Sequence, residues 1–331
     1  MATRGSLALT LNDWARRVED GGKLASIVEI LNDTNEIIED AMWVEGNLPT
    51  GHKTTIRSGL PSVTWRLLNY GVQPSKSRTV QVTDNCGMLE AYAEVDKDLA
   101  DLNGNTAEFR LSEDKAFLEA MNQEFATTLF YGNSATDPEK FMGLEPRYNS
   151  STAENGENII KGGGSGSTNT SIWLVVWGDS TCHCIFPKGK MTGLQHKDLG
   201  EQTLLDGATP AGKYQGYRSH YKWDCGLVLK DWRYVVRICN VDVNTLTSTG
   251  TTGADLVDLM IQAMEIVPNL SSGKAVFYCN KTIRSYLRRQ INSKSNLNLS
   301  LETFAGKKVV AIDGVPIKKC DAITKIEATV A

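Results

Sequence analysis

The sequence predicts an α+β fold with one long helix and a mostly antiparallel or mixed sheet. Three observations carry that expectation. Phe117, Met121, Phe125 and Leu129 recur every four residues within 111–131, an apolar ladder along one side of a helix. Ile172-Trp173-Leu174-Val175-Val176-Trp177 is almost wholly apolar, as a strand covered on both faces would be. Residues 46–80 are punctuated by Gly46, Pro49, Gly51, Gly59, Pro61, Gly71 and Pro74, which excludes regular helix and suits an extended hairpin.

In chain order, Leu24, Ile27, Val28 and Leu31 give residues 10–40 a helical stripe. Within 46–80 the β-type pieces are Thr54–Arg57 and Ser62–Leu67. A hairpin this long has no home in a compact domain, so it needs a second surface, from this chain or a neighbour. The helix over 111–131 has Ser112 as a cap, Glu113 and Asp114 where the dipole favours acids, and Gly132-Asn133 as its stop. Its expected length is roughly 30 Å. Residues 149–170 read as a flexible polar loop, richest in glycine and serine at Gly162–Ser167.

Later strands are expected at Gly226–Leu229 and Trp232–Ile238. A helix is expected over Thr252–Val267, with Pro268 as its stop, and a buried strand at Ala275–Cys279. Asn280 caps a short basic helix running to Arg289, and Lys307–Ile312 closes the chain's sheet before a turn at Asp313-Gly314.

The balance of 35 lysines and arginines against 39 acids, a net charge of −4, argues against wrapping nucleic acid by charge neutralisation. Met1–Leu11 has no signal-peptide pattern, and no apolar run is long enough to span a bilayer, so no membrane partner is expected. Seven cysteines at irregular spacing read as thiols of a reducing compartment.

Searches for catalytic and binding chemistry yield little. Gly178-Asp179-Ser180 resembles a hydrolase nucleophile block, but no histidine follows an aspartate at the required spacing, so a turn is the better reading. Cys182-His183-Cys184, with His196 and Cys225, has poor spacing for tetrahedral zinc and reads as a strand with a surface histidine. The Gly162–Gly166 run lacks the lysine of a phosphate loop. Arg284, Arg288 and Arg289 form a basic face, which is solvated or pairs with acids on a neighbouring subunit more often than it touches phosphate. No catalytic residue, cofactor or metal ligand is expected.

Several stretches carry a family resemblance: Phe141–Asn149, Ser171–Gly178, Ile185–Gly189, Tyr214–Tyr217, and Tyr221–Leu227 through Asp231–Arg237. They look like the major capsid proteins of the epsilon 15-like short-tailed phages. The order of elements resembles the Hong Kong 97-type fold of tailed-phage capsid proteins. That resemblance implies an N-terminal arm at 1–45 and an extended loop at 46–80 lying on the adjacent subunit. It implies a peripheral domain at 81–139 whose spine is the 111–131 helix, an axial domain at 140–300, and a return to the peripheral domain at 301–331. Its implied function is a shell protein forming pentamers and hexamers of an icosahedral head around double-stranded DNA. Implied partners are itself, scaffolding and portal proteins, a decoration or cement protein, and DNA on the inner face without sequence-specific contacts. The implied location is the virion, after assembly in a bacterial cytoplasm. Lys–Asn cross-linking, known in some capsids of this fold, is assigned to neither Lys53 nor Lys76. The rival readings are a virion decoration or receptor-binding protein, or a serine hydrolase using Ser180.

Overall fold

The computed structural model describes Leu9 and residues 35–205, 212–247, 253–293, 299–304 and 307–331. Most of the expected arm, including the apolar stripe of 10–34, lies outside the described residues. Its end is a single helical turn, α1 (Ile37–Asp40), followed by β1 (Trp43–Glu45); a second single turn, α2 (Lys97–Ala100), comes later in the chain.

Twelve of the described strands form one sheet, whose main path runs β12 (Leu299–Phe304), β13 (Lys307–Ile312), β14 (Val315–Lys319), β11 (Lys274–Cys279), β6 (Asn169–Trp177), β7 (Cys182–Phe186), β9 (Lys213–Leu229) and β4 (Gly87–Asp96). At its centre are β6, β7 and β11. All of β6 is buried, because helices cover both of its faces. Trp173, Val175 and Trp177 face the long helix α3 (Thr106–Tyr131), while Ile172, Leu174 and Val176 face α4 (Leu256–Ile266) and α5 (Lys281–Ser293). β10 (Val235–Asp242) pairs antiparallel with β6 and parallel with the short β5 (Ile159–Lys161). On the other side β12, β13 and β14 close the edge; Asp313 and Gly314 both adopt positive φ in the tight turn between β13 and β14.

Beyond the centre, β9 runs on to pair with β4 on one side and β8 (Gln195–Leu205) on the other. The expected strand at Gly226–Leu229 is therefore only the buried end of a 17-residue one. The expected strand at Trp232 starts at Val235, after a 3-10 turn held by the Asp231 side chain.

The long helix starts earlier than the sequence predicts. α3 has 26 residues, about 39 Å at the usual rise. Ser112 is inside it, donating to the Phe109 carbonyl at 2.8 Å, so it is not the cap. The start is held instead by the Thr106 hydroxyl on Asp101, 2.7 Å. The four-residue ladder is as expected: Met121, Phe125 and Leu129 are buried, with Phe117 packed at their margin. Asn280 caps α5 as predicted, accepting from the Thr282 and Ile283 amides at 3.0 Å each.

The glycine-rich loop is not loose. The Gly162 and Gly164 amides donate to the Cys239 and Asn240 carbonyls at 2.8 and 2.7 Å. A Cβ at Gly164 would lie 2.7 Å from the Asn240 carbonyl oxygen, so glycine here permits backbone contact.

Two buried charge networks tie the ends of the described chain to the sheet. Arg237 lies over the Trp173 ring, donates to Glu327 at 2.9 Å and to the Tyr148 carbonyl at 2.8 Å, and shares Ser171 with Glu327. Asp40 accepts from Lys274, Lys318 and Tyr278 at 2.5, 2.7 and 2.9 Å. A buried carboxylate needs such partners, because desolvation without them costs several kcal/mol.

Candidate assembly surface

β2 (Gly51–Gly59) and β3 (Arg78–Asn85) form a separate two-stranded antiparallel sheet. Their register runs from Gly51↔Asn85 at the root to Gly59↔Arg78. The hairpin of the sequence analysis exists, but its second strand is not Ser62–Leu67. That piece has no strand partner among the described residues and belongs to the long tip, 60–77, between the strands. Two prolines and a Gly within 60–77 break its ladder, and among the described residues no surface buries its apolar side chains.

The root is tightly fixed. A Cβ on Gly51 would lie 2.0 Å from the Asp84 carbonyl oxygen, so only glycine allows the two strands to meet there. Asp84 is buried and paired with Arg147 at 2.8 Å. Arg147 also donates to the Gly143 and Met142 carbonyls, both at 3.1 Å. Asn47 exchanges two hydrogen bonds with the Lys53 backbone, 2.8 and 2.7 Å. Beneath this root His52 meets His183 edge-on, with ring centroids 5.9 Å apart. His183 is fully buried, contrary to the surface position expected for it, because the hairpin root covers that face of β7. Burial, and after it the Lys230 charge, pushes its imidazole down to about 4.

The tip is the opposite. Leu60, Val63, Trp65, Leu67, Leu68 and Tyr70 are all exposed, Trp65 completely. Its internal bonds are few: the Ser75 hydroxyl on the Ser62 carbonyl at 2.8 Å and one backbone turn from Tyr70 to Leu67. So many large apolar side chains exposed within one short segment suit an interaction site. Residues 46–83 also carry five cations (Lys53, Arg57, Arg66, Lys76 and Arg78) and no acid. The long helix α3 carries five acids against two cations. Between α3 and the start of β4, Met88, Phe125 and Phe141 line a cavity of about 210 Å³ with Glu124, Glu139 and Lys140 at its side, Lys140 pairing with Glu124 at 2.9 Å.

The catalytic and metal candidates do not assemble. Ser180 is exposed in the turn between β6 and β7, with no hydrogen bond to a histidine among the described residues. Its neighbour Asp179 is paired with Lys230 at 3.1 Å. Cys182 and Cys184 face the core beside α3, on the other side of β7 from His183. Burial pushes the Cys182 thiol up to about 12 and the Cys184 thiol well above its ordinary value, so neither is a thiolate at neutral pH. No cluster of three or more histidines, cysteines or acids suited to a metal occurs among the described residues. Arg284, Arg288 and Arg289 do share one concavity on α5. No described helix is long and apolar enough to cross a membrane.

Sequence reasoning missed Arg147 and Asp84, which anchor the hairpin, and Arg237, which anchors the last residues of the chain. A signal existed for Arg237: a single charge inside the apolar run Val235-Val236-Arg237-Ile238 is a buried ion-pair candidate.

Comparison with known proteins fits this geometry. The model of the family described as major capsid protein GP7 matches residues 19–331. The chain is similar to the protein in a cryo-EM structure of bacteriophage epsilon15, with 39% identity, a TM-score of 0.81, and coverage of 100% of this chain and 99% of that one. A looser likeness is to the bacteriophage JBD30 capsid, with 7% identity and a TM-score of 0.49 over 88% of this chain and 91% of that one. No curated protein matches.

Proposed function

The chain belongs to the GP7 family of tailed-phage major capsid proteins, and from that premise we propose that its hairpin is the arm by which each shell subunit grips the next. Its α+β architecture is of the Hong Kong 97 type, and its role in the virion is to form the shell with copies of itself. The observation that carries the proposal is the hairpin's division into a clamped root and an apolar tip exposed and unpartnered among the described residues.

The landing surface on the neighbour is its long helix. Charge favours this, since a hairpin with five cations and no acid meets a helix with five acids and two cations. The apolar cavity beside Glu139 suits Trp65, with Arg66 next to that acid; Glu124 at the same rim is already paired with Lys140. Each such contact is modest, and a closed shell gains stability by repeating it around symmetry axes. In this reading residues 1–45 are a separate N-terminal arm, 46–80 the extended loop that holds the gripping hairpin, 81–139 and 301–331 the peripheral domain, and 140–300 the axial domain meeting its copies in pentamers and hexamers. The head encloses double-stranded DNA and is built in the host cytoplasm with scaffolding, portal and decoration partners. In this reading the role is structural, and among the described residues no histidine pairs with the exposed Ser180.

Electron microscopy of the purified full-length protein, alone and co-expressed with a scaffolding protein, tests this. Closed shells or ring-shaped capsomers are expected. Small fixed oligomers under every condition would instead favour a decoration or receptor-binding protein.

A further inference from the structure

A second long acid-free stretch, residues 266–301, holds six cations: Lys274, Lys281, Arg284, Arg288, Arg289 and Lys294. Lys274 is committed to Asp40. Four of the others sit on α5, and their orientation is set by packing. Ile283, Leu287 and Gln290 are buried against the sheet, so helical periodicity turns Lys281, Arg284, Ser285 and Arg288 outward. Lys319, at the end of β14, completes the rim of an open concavity of about 600 Å³.

We propose that this concavity holds the sugar-phosphate backbone of double-stranded DNA. The proposal rests on the capsid reading, because a shell subunit meets the packaged duplex on its inner wall. Its five cations include three arginines, whose planar forks suit phosphate oxygens. Two acids reach it: Glu36 lies 3.6 Å from Arg284, and Asp321 lies 3.4 Å from Lys319. Among the described residues no acid pairs with Lys281, Arg288 or Arg289, and the buried Arg284 Nε has no hydrogen-bond partner. From Lys281 to Arg289 the helix rises about 12 Å. At about 3.4 Å per phosphate along one strand, that matches three to four successive phosphates.

The lining also argues against a protein occupant. All six residues around the concavity are charged or polar. Protein interfaces place aromatic or aliphatic anchors at their centre and are depleted of lysine there. Phosphate contacts need no such anchor and read no sequence. The remainder of the chain is strongly acidic, because none of the 39 acids lies in either acid-free stretch. The duplex is thus held at a patch and repelled around it.

The test is fluorescence anisotropy of a short labelled duplex of mixed sequence, titrated with the purified full chain over a range of salt. In the paired variant Arg288→Gln with Arg289→Gln, the slope of log K against log salt falls by about 2 and low-salt affinity drops at least tenfold. Both side chains are exposed, so the thermal melt stays at the wild-type value. An unchanged slope overturns the proposal. So does polyglutamate competing as well as DNA at equal charge, which would make the site one for an acidic protein segment. So does a variant that keeps its DNA affinity but loses shell formation, which would make α5 a contact between copies. Electron microscopy of both proteins separates the two readings. Wild-type protein that never forms shells counts against the capsid reading, whereas normal variant shells with unaltered DNA binding count against this site alone.

Discussion

Residues 46–83 and 266–301 are alike in sequence charge and unlike in everything the fold does with them. Both are basic and free of acids. The hairpin adds a run of exposed apolar side chains to its cations, and the α5 face adds only a serine. Positive charge alone therefore does not identify a partner. What accompanies it does, because apolar area contributes affinity for another protein surface, while a bare cationic face has affinity mainly for polyanions. The backbones differ as well. α5 is fixed along its length by buried Ile283 and Leu287, whereas the hairpin is fixed only at its root.

The largest test of this contrast removes the hairpin. Deleting 54–82 and joining the paired positions Lys53 and Thr83 through an Asn-Gly turn keeps the root register. The subunit is expected to keep its circular dichroism and melting temperature, keep its salt-dependent DNA binding, and form no closed shells by electron microscopy. Unfolding would place the hairpin in the subunit's own core and erase the distinction.

Acidification is the next largest. His183 is held neutral by burial, with a folded value near 4 against 6.5 when unfolded. The unfolded chain therefore takes up the proton first. Stability is full above pH 6.5 and drains as pH falls from 6.5 towards 4, by at most about 3 kcal/mol. Because His183 lies beneath the hairpin root, hydrogen exchange should accelerate in β2 and β3 over that window while α5 stays protected. His183→Gln should flatten the response. Equal acceleration in both regions would mean the histidine reports global unfolding.

The smallest expected effect is the sharpest. Trp65 is fully exposed, so Trp65→Ala should leave the melting temperature of the subunit unchanged. As a buried anchor in the assembled shell it should cost about 2 kcal/mol per contact. Light scattering would read that as a higher protein concentration at the onset of assembly. An unchanged onset would move the anchor elsewhere on the tip.

How far the sequence could be read depended on how each element is buried. β6, β11 and the ladder of α3 were legible because burial on both faces, or along one clean stripe, leaves a strong apolar period. β4, β8 and the outer half of β9 escaped notice, since they pair in a half-exposed sheet where Glu90, Lys222 and Glu94 alternate with apolar residues. Ser62–Leu67 looked like a strand for the same reason in reverse: it has the alternation but no strand neighbour among the described residues. The ion pairs of Asp84 with Arg147 and Arg237 with Glu327 join residues 63 and 90 positions apart, which no local pattern encodes.

The clamped root has a mechanical consequence. A two-stranded ribbon held at one end is far more compliant than a 12-stranded sheet braced by helices on both faces. When identical subunits meet at the different angles that a closed shell imposes, the strain goes to the softest element. Here that element is the ribbon beyond Gly51 and Asp84, so curvature is absorbed outside the body of the subunit. One sequence can then occupy several places in the same shell while its core remains unchanged.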